Sequence, residues 1–387
     1  MVKKANPNKA INRKIKFKIN RLFLLQNLNH VSKGLSNKPQ MPIITGIKID
    51  VKERSLLLTA SNFDISIQAK LNDVDNFDIE ETGTVVLPGK YLLDILRKTN
   101  AEEIMFTSFE ENTVKIIADR SNFTLNTMEK DVFPYISFEE SVNFINIDAL
   151  NVKQIIKKTS FASSSSEAKM ILTGVSLSTK GPKIEAVATD SFRLAKKYLI
   201  SNQENPDINV IIPSKNLEEL NKILEECDEN VQIHFLKTKI LFKYKNILFL
   251  SRLIEGTFPN TSSLIPSEYI LSIKFNKNEL ISSIDRASLF NSVESPSTIK
   301  MVISEEKIEI KSISNEIGGT IEEVTPISIS NKCNLQIAFS SKYFLDAVKS
   351  FDSNEITIHI TGEIKPFIIT GDYDVNHIQL ILPTRAI

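Results

Sequence analysis

Residues 83–90, GTVVLPGK, place two glycines ahead of a lysine, an arrangement that could cradle a phosphate. A phosphate loop needs four residues between its glycines and a Ser or Thr after the lysine; here five residues intervene and Tyr91 follows. Pro88 and the β-branched Val85 and Val86 stiffen what must be a pliant cradle, so the segment reads as the end of a strand. The histidines His30, His234, His359 and His377 lack HxxxH or HExxH spacing, so neither a metal centre nor a triad has local support. The acidic run Asp73, Asp75, Asp78, Glu80, Glu81 has no glycine or ligand spacing of a calcium loop and reads as a solvated hairpin connection. In Thr189-Asp190-Ser191 a hydroxyl neighbours a carboxylate, but adjacent residues on a strand end point to opposite faces. Cys227 and Cys333 form no CxxC pair and no disulfide framework, which suits a reducing cytoplasm. These residues define no catalytic constellation, metal site or cofactor site, and the expectation is a protein that is not an enzyme. The rival is a nucleic-acid-processing enzyme on a repeated β-rich platform, which would need an acid–base or metal cluster.

The elements that carry these residues recur three times. Val85–Thr99 (VVLPGKYLLDILRKT), Val210–Leu224 (VIIPSKNLEELNKIL) and Ile337–Phe351 (IAFSSKYFLDAVKSF) each run from a short β-type stretch through Pro88, Pro213 or Ser340 into helical spacing. Ile19–Ser32, Ile147–Ser160 and Phe275–Ser288 form a second set of amphipathic helices, with Ser32, Ser160 and Ser288 spaced 128 residues apart. A third set reads as hairpins: Leu58–Ile67 around Asn62, Glu185–Leu194 around Asp190, and Ile308–Ile317 around Asn315. The chain has 387 residues, more than one core usually holds. Three domains follow, at 16–141, 142–268 and 269–387, behind a basic extension over 1–15 that reads as a disordered arm. Alternation in Thr113–Ile117, Asn122–Met128 and Glu355–Ile360 predicts antiparallel sheets with one covered face. The fold class is α+β, with two helices and about eight strands per domain. Hydrophobic residues make up 42% and charged residues 24% of the chain, a folded rather than disordered composition. The extension carries no acid and Arg21 interrupts the apolar run behind it, so no signal peptide or membrane span is read.

With 47 basic and 47 acidic residues the chain is formally neutral, so any contact with nucleic acid must come from uneven placement. The predicted helices 20–33, 89–99, 148–160, 214–226, 276–288 and 341–351 carry +2, +2, +2, −2, 0 and +1, a net +5. Lys90, Lys215 and Lys342 fall in the first turns of three of them, where the helix dipole disfavours a cation by a few tenths of a kcal/mol. A phosphate backbone passing those ends would match them without reading sequence. No helix-turn-helix, zinc finger or aromatic stacking platform is present, so the contact should be non-specific and salt-sensitive.

The repeated unit, together with Ala188–Ala195 (ATDSFRLA), Phe258–Pro266 (FPNTSSLIP), Asn37–Ile43 (NKPQMPI) and Gln379–Arg385 (QLILPTR), resembles the bacterial DNA polymerase III beta sliding clamp family over residues 16–387. The resemblance implies three domains of the DNA-clamp fold per chain and a homodimer closed head to tail into a ring around double-stranded DNA, acting as a polymerase processivity factor in DNA replication. It implies that Lys38, Lys90 and Ser166 face DNA; Lys215 and Lys342 extend that set through the repeat. It also implies a cleft that takes short peptides from the replicative polymerase, the clamp loader and repair proteins. The matching positions are Leu172, Thr189, Ser191, Phe192, Arg193, Leu194, Pro259, Leu264, Leu382, Pro383, Thr384 and Arg385. Ser191 and Phe192 stand where many relatives carry Gly-His, and Ala386 and Ile387 continue past the usual end. The dimer is expected to join Phe123 and Leu125, on an edge strand, to Leu289 and Phe290, at a helix end.

Overall fold

A computed structural model describes residues 14–36, 41–109, 112–290, 298–314 and 318–384. Lys38, Arg385, Asn315, the side chain of Phe290 and most of the basic extension lie outside the described residues. Ile15, assigned to that extension, is fully buried, and its N–H donates to Ser108 Oγ at 3.0 Å, so the first domain begins before residue 16.

Two compact units are present, one comprising residues up to Asn146 with Glu229–Arg252, the other Ile147–Asp228 with residues from Leu253 onward. They divide the chain differently from the repeat boundaries, and strand pairing explains the difference. In the first unit, Ile247–Arg252 of the second repeat pairs antiparallel with Ile65–Leu71 of the first, Ile247 opposite Ala69. In the second unit, Arg193–Pro213 pairs with His377–Ile381 of the third repeat, Arg193 opposite Ile381. Neighbouring repeats thus share sheets, which satisfies edges that would otherwise be open.

The first unit holds a five-stranded and an eight-stranded antiparallel sheet and the helices α1 (Arg21–Val31) and α2 (Gly89–Lys98). Asn20 caps α1 by accepting from Phe23 N at 3.0 Å. Leu92, Leu93 and Leu96 give α2 its buried face, the three-and-four spacing visible in sequence. Residues 83–88 are strand and Gly89 opens the helix, where an added Cβ would meet Leu35 Cδ1 at 2.6 Å. The acidic run departs from expectation: Phe77–Glu81 is an edge strand on Lys16–Asn20, held partly by Lys16–Glu80, and only Val74–Asn76 is a connecting turn. Phe77 and Ile79 alternate beneath the charges, and that alternation prevailed.

The second unit holds a seven-stranded and a four-stranded sheet with α3 (Ala149–Thr159), α4 (Ser214–Asn221), α5 (Lys277–Ala287) and α6 (Ser341–Lys349). Its third-repeat core gathers Phe275, Leu280, Phe339, Phe344, Phe351 and Phe367, with the Phe339 and Phe344 rings 4.8 Å apart. Helix α4 stops at Asn221, five residues short of the predicted Glu226. Glutamates at 225 and 226 would oppose the dipole of a longer helix, and Lys153 of α3 instead donates to Asn221 O and Leu224 O at 3.1 and 2.8 Å.

The first two hairpin turns share one chemistry. Asn62 Oδ1 accepts from Asp64 N and Ile65 N, and Asp190 Oδ1 from Phe192 N and Arg193 N. Between anchor and strand, Phe63 and Ser191 take φ of +74° and +80°, a left-handed turn that the Asx side chain holds closed.

Candidate partner groove and nucleic-acid face

The Asp190 turn lies in the second unit and decides which neighbours point outward. Thr189 Oγ1 donates to Arg193 O at 2.6 Å and accepts from Ser191 N at 3.2 Å. Phe192 is thereby left 59% exposed while Arg193 is only 7% exposed. The guanidinium of Arg193 donates through Nε to Asp190 Oδ2 (3.1 Å), Nη1 to Asp346 Oδ2 (2.7 Å) and Nη2 to Phe161 O (2.6 Å). Its carbon sits 4.5 Å from the Tyr343 ring centre and 5.4 Å from that of Phe161. Phe192 stacks on Tyr343 with centroids 6.4 Å apart. Partial burial, and then the Asp190 carboxylate, push the Tyr343 hydroxyl above its ordinary pKa, so it stays protonated.

Behind the turn, Leu172, Val187, Leu194, Ile211, Phe258 and Leu380 form one buried apolar cluster, with Ile171 and Ile254 at its margin. Gly174 borders it, where a Cβ would meet Ile211 Cγ2 at 2.6 Å and Ile212 O at 2.8 Å. The chain's tail closes one side: Leu382 N donates to Phe192 O at 2.9 Å and Thr384 N to Ala338 O at 2.8 Å. Of the expected groove residues, Leu172 and Leu194 meet in the cluster, residues 189–193 form the turn, and Leu382 and Thr384 are tied to that wall. Pro259 follows the buried Phe258 and is exposed, as is half of Leu264, which is not in the cluster. Phe161, Asp190, Tyr343, Asp346 and Leu380 were not anticipated in this role. Asp190 carried an available signal, an acidic residue three before Arg193, whereas Asp346 lies 153 residues away in sequence.

Lys90, Lys215 and Lys342 are exposed in the first turns of α2, α4 and α6 and form no ion pair among the described residues. Pro88 and Pro213 cap without a side-chain bond, while Ser340 accepts from Tyr343 N. Ser166 is exposed and caps the helical turn Glu167–Thr173. The positive charge counted on α3 is not free. Lys153 holds the end of α4, Lys157 pairs with Glu226 at 2.6 Å, and Lys158 is buried against Asp374.

Ser121–Asn126 ends the five-stranded sheet of the first unit, with Phe123 and Leu125 half-buried on one face. Beside it opens a cavity of about 560 Å³ rimmed by Lys98, Asn100, Asp119 and Arg120. In the second unit Gly318–Val324 ends the four-stranded sheet, Ile321 is 64% exposed, and Leu289 just after α5 is 75% exposed. Among the described residues no helix is long and apolar enough to cross a membrane.

Tandem strand–helix units, sheets fused between repeats and a buried apolar cluster behind a pinned turn define a repeated scaffold. Comparison with known proteins gives the class. Residues 15–137, 146–260 and 262–385 match the N-terminal, central and C-terminal domains of the DNA polymerase III beta subunit. The beta sliding clamps of Staphylococcus epidermidis and Staphylococcus aureus are 38% and 36% identical, each over 96% of this chain and all of theirs. A crystal structure of the Bacillus subtilis DNA polymerase sliding clamp superposes with a TM-score of 0.92 at 35% identity, covering 96% of this chain and 100% of that one. The beta chain from Streptococcus pneumoniae gives 0.93 at 31% identity with the same coverage. The chain belongs to the beta sliding clamp family and has its three-domain fold.

Proposed function

We propose that this chain is a DNA polymerase processivity factor: two copies close head to tail into a ring around double-stranded DNA, and the groove tethers the replicative polymerase, the clamp loader and repair proteins by short peptides. The observation that carries the reading is the full-length likeness to beta sliding clamps together with a groove whose wall is built and tied down within this chain. In this reading the protein is not itself catalytic and works in the cytoplasm, where the chromosome is copied. The three repeats, divided near 142 and 269 and with Ile15 included in the first, serve as the architectural units, with sheets fused across them.

The dimer joins unlike edges. The strand Ser121–Asn126 with Phe123 and Leu125 meets Leu289, Phe290 and Ile321 of a second copy, and Lys98 and Arg120 beside it complement Glu323. Light scattering should give twice the 43.6 kDa chain mass, and the loaded protein should stay on circular DNA but run off after linearisation. A monomer mass unchanged by the double substitution Leu289→Ala, Phe290→Ala would sink the dimer assignment, and equal retention on both DNAs would sink enclosure.

Lys38, Lys90, Lys215 and Lys342, with Ser166, face the DNA. Their contacts are with phosphate, so enclosure rather than affinity keeps the protein on its track. Replacing the four lysines by Glu should leave the dimer mass intact, weaken DNA association, and flatten the salt dependence by roughly one unit of slope per lost phosphate contact. An unchanged slope would mean that these lysines only solvate the surface.

A further inference from the structure

We infer that Arg193 is a positioning residue of the groove, clamping the Phe192 turn to helix α6, and is not itself a contact for the docked peptide. The inference rests on the groove reading given above. The side chain is 7% exposed, each of its three nitrogens already has an acceptor, and the rings of Tyr343 and Phe161 lie over the guanidinium. Three of its five N–H groups are thus engaged, both faces meet rings, and its burial leaves an incoming peptide little of it to reach.

The acceptors come from three separate elements: Asp190 in its own turn, Phe161 in the helical turn Ser160–Ala162, and Asp346 on α6. One side chain thus ties the second repeat to the third. Asp190 serves two ends of this clamp, since Oδ2 accepts from the guanidinium while Oδ1 accepts from the N–H groups of Phe192 and Arg193. The same carboxylate that orients Arg193 fixes the backbone that presents Phe192. Ser191, at φ +80°, is a conformation that persists only where its surroundings enforce it. Tyr343 completes the circuit, because it touches both the guanidinium and the exposed Phe192 ring. Without the clamp, Phe192 would be ordered only when a peptide docks, and that ordering would be subtracted from binding.

Lysine keeps the charge but cannot reach three acceptors in one plane or stack between two rings, so Arg193→Lys isolates the clamp from the charge. The probe is a fluorescein-labelled peptide carrying the clamp-binding segment of a replicative polymerase, titrated against full-length protein. Arg193→Lys should weaken binding at least tenfold in the otherwise native chain and less than twofold when Phe192→Leu is already present, because the turn it positions no longer offers a ring. Asp346→Asn, which leaves the arginine in place, should show the same non-additivity with a smaller first factor, and it carries the test if Arg193→Lys lowers the melting temperature enough to impair folding. Equal factors in both backgrounds would mark Arg193 as a direct contact or a generally structural group and overturn the inference, as would undiminished binding. Native protein that bound no peptide would instead overturn the groove reading itself.

Discussion

Lys158→Met will destabilise the second compact unit by about 3–5 kcal/mol in urea unfolding, the usual cost of leaving one member of a buried ion pair behind. Lys158 on α3 has 6% of its side chain exposed and pairs with Asp374, which has 1% exposed, and also with Asp352 at 2.8 Å. Asp374 accepts further bonds from Ser353 N at 2.8 Å, Ser353 Oγ at 2.6 Å and Asp352 N at 3.1 Å. Burial opposes ionisation, but Lys158 and these donors outweigh it and hold the carboxyl well below the usual range. Nearby His377 is pushed down to about 3, mainly by burial and then by the Lys158 charge; its Nδ1 meets Lys196 O at 3.2 Å and its Nε2 meets Ser350 Oγ at 2.9 Å, which suits a neutral ring. Both folded-state values are depressed, so both groups bind protons more readily when unfolded, and stability is fully present at neutral pH. It declines first through His377 as pH falls below about 6.5, on the order of 1.4 kcal/mol per unit, and then through Asp374 below about 4. Replacing Lys158 by Met together with Asp374 by Leu should recover most of the single-variant loss. A Lys158→Met chain with native stability, or a native chain equally stable at pH 7 and pH 4, would show that this buried ion pair does not stabilise the unit.

What was legible in the sequence was local. Pro88 and Pro213 mark the switch from period two to helical spacing within a few residues, and Asn62 and Asp190 mark turns through bonds to their own neighbours. The fused sheets were not legible, because a strand such as Ile247–Arg252 has the same alternation whether its partner lies in its own repeat or in the previous one. Charge also misled the reading. Phe77–Glu81 looked like a connection because its acids are conspicuous and its Phe-Ile alternation is short, and the lysines of α3 counted as surface charge although Lys153 and Lys158 face partners from distant segments. Behind the Asp190 turn, only Leu172 and Leu194 of the buried apolar cluster were reached, through the family resemblance, while Val187, Ile211, Phe258, Leu380 and the polar frame were missed. Asp374 is 216 residues from Lys158, and nothing in local spacing links them.

Deleting Leu382–Ile387 should leave the chain folded and dimeric while lowering affinity for a polymerase peptide at least tenfold, about 1.4 kcal/mol. The strand His377–Ile381 retains its pairing with Arg193–Pro213 and Phe367–Gly371, which ends at Ile381, so the truncation removes no ladder bond of the seven-stranded sheet. It does remove the bonds from Leu382 N to Phe192 O and from Thr384 N to Ala338 O. These attach the tail to the turn that presents Phe192 and to the strand Leu335–Ser340 leading into α6. Pro383, between them, has its φ fixed by its ring, so the wall is already ordered before a peptide arrives and less entropy is lost on docking. Leu382, 37% exposed, supplies an apolar surface beside Phe192 that an extended peptide can cover. Peptide titration, light scattering and thermal melting of the truncated chain distinguish the possible roles. A folded dimer with weakened binding assigns the tail to the groove, collapse of the melting temperature would assign it to the core, and a folded truncation that bound the peptide undiminished would remove the tail from the site.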